Sequence, residues 1–175
     1  MCKKLSLILI AYLFFVSTAL AQSISKDDVI KAQDRWAEGI VNISKTFIEK
    51  GDYKKAAEDH IRSLYAYDQQ GVLFKPTLAS EVPFRNTFDS ALSYFVKGSI
   101  AEDNGFAIRP WINVRYLERN VIVFADSAIS MGTYEFTPLD GDPVAVEFSF
   151  AYSKDNDGNL RINLHHSSLP YNASK

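Results

Sequence analysis

Residues 144–168 read VAVEFSFAYSKDNDGNLRINLHHSS, and this stretch decides the fold. In its first half Val146, Phe148, Phe150 and Tyr152 alternate with Glu147, Ser149, Ala151 and Ser153. Successive side chains of a strand point to opposite faces, so this alternation gives a strand with one apolar face. Asp155, Asp157 and Gly158 interrupt it with turn chemistry, and strand character resumes over residues 160–168. The reading is an antiparallel hairpin. Its turn has the oxygen-rich spacing of a calcium loop, but Leu164 stands where such a loop needs a bidentate Glu, so no ion site is expected there.

Working outward, residues 111–118 and 121–136 have the same strand character, and turn-rich residues 138–143 separate them from the hairpin. Upstream of Gly105 the period changes. Val29, Trp36, Ile40, Ile43 and Phe47 recur at helical spacing behind Ser25 and Asp28, which match a capping box, and Gly51 is the expected stop. Asp52 can cap a second helix with Tyr53, Ala57, His60 and Leu64 on one stripe. After a short apolar stretch at residues 72–74, Phe84, Phe88, Leu92 and Phe95 mark a third helix that ends by Gly98. Three helices followed by a meander of about four strands make an α+β domain, with the helices on one face of an antiparallel sheet.

The chain has 175 residues, 47% hydrophobic and 23% charged, which is the composition of a globular protein and not of a disordered one. Lys3 and Lys4 precede an apolar run at residues 5–16, and Ala19, Leu20 and Ala21 supply the small-residue pattern of a cleavage site. Residues 1–21 therefore read as a signal peptide and residues 22–175 as one exported domain, periplasmic or secreted. The apolar run is shorter than the roughly 20 residues that span a bilayer, so no membrane association is expected after cleavage. The formal net charge is −2 with no basic run, which argues against nucleic acid as a partner. The single cysteine, Cys2, lies in the leader, so disulfide and thiol chemistry are excluded from the exported domain.

His165 and His166 are adjacent on the last strand and point to opposite faces, so they do not chelate one ion. No metal and no cofactor are expected. His60 reads as a hydrogen-bonded histidine at the core edge. Ser167 and Ser168 lack a nucleophile-elbow sequence. Trp36, Tyr94 and Trp111 are candidates for the aromatic wall of a pocket.

The element order resembles the nuclear transport factor 2-like cone fold. Residues 157–170, DGNLRINLHHSSLP, resemble the closing hairpin of the calcium/calmodulin-dependent protein kinase II association domain and its secreted bacterial relatives, as do residues 105–111, GFAIRPW, and 128–132, AISMG. The resemblance implies three N-terminal helices packed on a curved antiparallel sheet, a conical pocket, and a homo-oligomer, dimer or higher. It carries neither a kinase domain nor a calmodulin-binding segment, so calmodulin is not an expected partner. Arginines of the association domain that can receive an anion align with Thr133, Phe150 and Ser167, none of which is arginine; Arg161 shares a strand face with Asn163, His165 and Ser167 and is a partial substitute. The resemblance thus places Asn163 and His165 in the cone. Alternation groups His166 with the apolar Ile162 and Leu164 instead, and the two are reconciled if Ile162, Leu164 and His166 form an interface between protomers.

Two functional expectations follow. The first is an exported, oligomerising scaffold or binding module without catalytic activity, its pocket lined by Trp36, Tyr94, Thr133, Phe150, Asn163, His165 and Ser167 and open to a small organic ligand. The second is a small cone-fold enzyme of the isomerase, dehydratase or cyclase type, with His165 as general base and Tyr94 polarising a carbonyl.

Overall fold

The computed structural model describes residues 23–172, and the expected leader at residues 1–21 lies outside the described residues. Helix α1 (Lys26–Ile48) starts at a Ser25 N-cap whose hydroxyl accepts from the Asp28 N–H, while the Asp28 carboxylate accepts from the Ser25 N–H. Its buried stripe, Val29, Ala32, Trp36, Ile40 and Ile43, packs on the sheet and on helix α2 (Tyr53–Leu64). Burying a side chain such as Ile40 contributes about 1.5–3 kcal/mol, which makes this stripe the main reason the helix docks. Helix α3 (Phe88–Val96) is capped by Thr87 and is shorter than the spacing predicts: Phe84 lies ahead of it and is exposed.

The sheet has five strands: β1 (Leu73–Lys75), β2 (Trp111–Val123), β3 (Ser127–Pro138), β4 (Val144–Lys154) and β5 (Leu160–Ser168), in spatial order β1-β5-β4-β3-β2. β2 to β5 are the expected antiparallel meander. The fifth strand, β1, pairs parallel with β5, setting Phe74 opposite His165. The first hairpin turns at residues 124–126 and not near residue 120, because Arg119 and Asn120 continue the ladder opposite Gly132 and Met131. A bulge at Tyr116–Glu118 pushes the Glu118 carbonyl toward Gly132, where a Cβ would sit 2.0 Å from that oxygen, so only glycine fits.

A second bulge changes the site. Tyr152 pairs with Ile162 and Ala151 with Leu164, so Asn163 is the extra residue. Strict alternation therefore fails across it: Ile162 and His165 both face inward and are buried, whereas Leu164 is half-buried and His166 exposed. The expected interface of Ile162, Leu164 and His166 is thus not one face. Arg161 does not face the cone either; its guanidinium is tied to Asp155, Asp68 and the carbonyls of Arg62 and Tyr65.

The inner face of the sheet and the three helices enclose an aromatic core. Phe136, Phe148, Phe150, Tyr134 and Tyr152 come from β3 and β4 by the alternation read from sequence, and Trp36 meets them from α1.

Candidate active site

Between Trp36, Phe74, Phe95, Phe106 and Phe136 lies a cavity of about 10 Å³, and its polar lining is Thr77, Tyr94, Tyr134, His165 and Ser167. That is about the room of one water molecule. Each element delivers its group for a local reason. β5 presents His165 and Ser167 because they are two apart on the inward face, and β3 presents Tyr134 by the same alternation. Tyr94 comes from the buried side of α3, and Thr77 follows β1, whose pairing with β5 brings residues 90 apart in sequence together.

The hydroxyls form a cluster. Thr77 Oγ1 donates to Ser167 Oγ at 2.9 Å, and the Tyr94 hydroxyl accepts the Leu78 N–H at 3.4 Å. The Tyr134 hydroxyl lies 3.3 Å from His165 Nε2. His165 Nδ1 is 2.9 Å from the Tyr65 hydroxyl, which accepts the Trp36 indole N–H at 2.9 Å. The imidazole is stacked between Phe150 and Phe74, with ring centroids 4.3 and 4.8 Å away.

Burial dominates the electrostatics. It holds His165 neutral, with its pKa pushed down to about 3, and His166 and His60 lower it further. Burial raises the Tyr94 and Tyr134 phenols above their ordinary range, so both are protonated donors at neutral pH. Among the described residues no group of three or more His, Cys, Asp and Glu side chains could hold a metal ion. What the cavity offers is neutral hydroxyls in an apolar shell.

Of the residues predicted to line the pocket, Trp36, Tyr94, His165 and Ser167 meet at this cavity, and Phe150 supports it by stacking on His165. Thr133 does not: it lies on the outer face of β3 beside Glu147. Asn163 sits at the bulge and donates to Gln70 at 3.0 Å, away from the cavity. His165 does not present a free basic nitrogen, because both ring nitrogens face tyrosine hydroxyls; this removes the geometry of a general base acting on a substrate. His60 is buried between Trp36 and Phe95, and its Nε2 has no hydrogen-bond partner, contrary to the expectation of a satisfied imidazole. Sequence reading missed Thr77, Tyr134 and Tyr65.

A loop fixes one wall. Residues 76–87 carry Thr77, and the Glu102 carboxylate accepts from the backbone N–H groups of Ser80, Glu81 and Val82 and from Arg85. Arg85 is fully buried and also bonds Asp103 at 2.8 Å.

Three helices, an antiparallel-rich sheet and an enclosed inner cavity define an α+β cone fold of the nuclear transport factor 2-like class. A nuclear transport factor 2-like protein from Salmonella enterica shares it at 11% identity, covering 85% of this chain and 93% of that one with a TM-score of 0.60. A Xanthomonas campestris protein described as a calcium/calmodulin-dependent protein kinase II association domain does so at 22% identity, covering 86% and 91%, with a TM-score of 0.63. At that distance they show the fold alone.

The nearer relatives are more specific. The sequence profile of metal-independent carbonic anhydrase matches residues 27–169. The metal-independent carbonic anhydrase of Nostoc sp. (strain PCC 7120) is 40% identical over 155 residues, covering 86% of this chain and 76% of that protein. The crystal structure of a cyanobacterial iota-carbonic anhydrase complexed with bicarbonate superposes with a TM-score of 0.82 at 38% identity, covering 86% of this chain and 95% of that one. The chain belongs to the metal-independent carbonic anhydrase family. This overturns the expected non-catalytic module, since the family is one of enzymes.

Proposed function

We propose that this protein interconverts carbon dioxide and bicarbonate, using hydroxyl groups of the cavity as its chemical apparatus. The observation that carries the reading is the Thr77–Ser167 hydroxyl pair, 2.9 Å apart beside Tyr94 in an apolar-walled cavity, in a chain of this family.

Carbon dioxide is linear and has no net dipole, so an aromatic shell such as Phe74, Phe95 and Phe136 suits it. Attack of a water oxygen on its carbon forms the new C–O bond and moves negative charge onto the carbon dioxide oxygens, where hydrogen-bond donors lower the barrier, and the proton that the water gives up is released to solvent as bicarbonate leaves. Tyr94, whose oxygen accepts the Leu78 N–H, has its own hydrogen left for the cavity. Ser167 supplies a second donor. Thr77, with its hydrogen committed to Ser167, presents oxygen lone pairs that can accept from the attacking water. Donors and an acceptor therefore stand side by side, which is what orienting a water against an electrophile requires. The cavity holds about one water as it stands, so admitting carbon dioxide beside that water requires a wall to move.

Oligomerisation and export belong to the same reading. Ile122, Ile129 and Met131 leave an apolar patch on the outer sheet face, which supports a homo-oligomer. The sequence of residues 1–21 supports export, and the N-terminus of the mature protein tests it. The activity is tested by stopped-flow carbon dioxide hydration on chelator-treated protein, with Ser167→Ala as comparison. Catalysis that survives the chelator and falls at least about 100-fold in the variant supports the reading; no rate above buffer in the folded wild type overturns it.

A further inference from the structure

Behind the cavity runs a row of buried hydrogen bonds, Trp36 to Tyr65 to His165 to Tyr134, which ends on the cavity wall beside Ser167. Hydroxyl and imidazole groups can each donate or accept, so most of this row could be drawn in either direction. One member cannot be reversed. Indole has an N–H and no acceptor, so Trp36 Nε1 only donates, and it donates to the Tyr65 oxygen at 2.9 Å.

Direction then propagates by elimination. Tyr65, having accepted from Trp36, has its phenol hydrogen for His165 Nδ1, 2.9 Å away. A neutral imidazole that accepts at Nδ1 carries its hydrogen on Nε2, and that hydrogen faces the Tyr134 oxygen at 3.3 Å. Tyr134, having accepted from His165, has its own hydrogen left for the cavity it lines.

The reverse direction has a different consequence. If His165 carried its hydrogen on Nδ1, Tyr65 would face two donors, and its own buried hydrogen would lose the His165 acceptor. Tyr134 would then give its hydrogen to His165 Nε2 and show the cavity only lone pairs. Thus the sense of the row decides whether the Tyr134 hydroxyl is a donor to an oxyanion or only an acceptor.

We propose that Trp36 is a positioning residue: through Tyr65 and His165 it fixes the direction of the hydrogen bonds ending on Tyr134, so that the Tyr134 hydroxyl offers the cavity one O–H donor. The fixed direction is a property of the folded protein, and it rests on the carbonic anhydrase reading only for the use made of that donor. His165 serves as a relay of orientation and does not take a proton from substrate.

The test is the tautomer of His165, read from long-range proton–nitrogen correlations of histidine-labelled protein in the absence of carbon dioxide. Wild type is expected to hold the Nε2–H form in at least about tenfold excess, the ratio that an unpaired buried donor enforces. Trp36→Phe, which removes the N–H, brings the two forms to within about threefold of each other and lowers kcat/KM for carbon dioxide hydration about tenfold. A tryptophan analogue with sulfur in place of the N–H at position 36 makes the same test with the ring shape kept, should the phenylalanine variant not fold. An Nδ1–H tautomer in wild type, or an unchanged tautomer ratio in a folded position-36 variant, overturns the proposal. An Nε2–H tautomer in a protein that hydrates no carbon dioxide overturns the functional reading and leaves the fixed direction standing.

Discussion

Thr77 Oγ1 and Ser167 Oγ meet at 2.9 Å across 90 residues of sequence, joined because a three-residue strand pairs in parallel with the last one. The contact places two small hydroxyls at the end of an aromatic cavity, where each removes or supplies a hydrogen bond without altering the shape of the wall. Ser167→Ala and Thr77→Val are therefore expected to lower kcat/KM for carbon dioxide hydration about 100-fold each, with less than additive loss in the double variant because the two act as a unit. Urea unfolding checks that the fold is retained, with an expected cost of about 1 kcal/mol for each.

Acid stability reports on the buried histidines. His60 and His165 both have folded pKa values pushed down to about 3 from an unfolded value of 6.5, chiefly by burial. The unfolded chain then binds more protons than the native state, so their contribution is intact above pH 6.5 and is lost as pH falls from there toward 3. Each histidine is expected to remove roughly 1.4 kcal/mol of stability per pH unit within that window. Urea midpoints measured between pH 7.5 and 5 check this, and His60→Leu is expected to halve the slope. The lowered Glu102 and Asp155 carboxylates act only below that range, since their unfolded values lie near 4.

Gly39 reverses the ordinary helix rule. An alanine inside a helix usually stabilises it by up to about 1 kcal/mol relative to glycine. Here a Cβ would lie 2.0 Å from His60 Nδ1, and the imidazole is held between Trp36 and Phe95. Gly39→Ala is expected to destabilise the protein by about 1–3 kcal/mol, read from chemical denaturation, whereas Gly39→Ala in a His60→Ala background should cost less because the clashing ring is gone.

Glu102 holds the wall that carries Thr77. Its carboxylate lies well below the usual range because the N–H groups of Glu81, Val82 and Ser80 converge on it. Glu102→Gln exchanges one acceptor oxygen for a donor, so residues 76–87 should loosen while the core stays folded. Amide hydrogen exchange at residues 80–82 is expected to accelerate at least about tenfold, with kcat/KM for carbon dioxide falling by a similar factor.

Much of the fold is legible in the sequence because its signals are local. The Ser25 capping box, the helical stripe through Trp36 and the alternation from Val146 to Tyr152 each name an element and its buried face. The site is less legible because bulges and non-local pairing build it. Asn163 is the extra residue of a bulge, so counting by twos from His165 carries the pattern past a position where it breaks. Thr133 alternates with the buried Tyr134 and Phe136 and hence faces out; the alternation shows this, and the alignment to a more distant family set it aside. Thr77 follows a strand too short to leave a period, and only the parallel pairing with β5 brings it to Ser167. Tyr65 is the C-cap of α2, where position in the helix says nothing of its partner on β5.

The most direct test is loss of oxygen-18 from labelled carbon dioxide, followed by membrane-inlet mass spectrometry on the folded protein after treatment with a chelator. The account predicts exchange well above the uncatalysed rate, unchanged by the chelator and reduced about 100-fold by Ser167→Ala. Exchange at the buffer rate in the folded wild-type protein, or full exchange in Ser167→Ala, would contradict it.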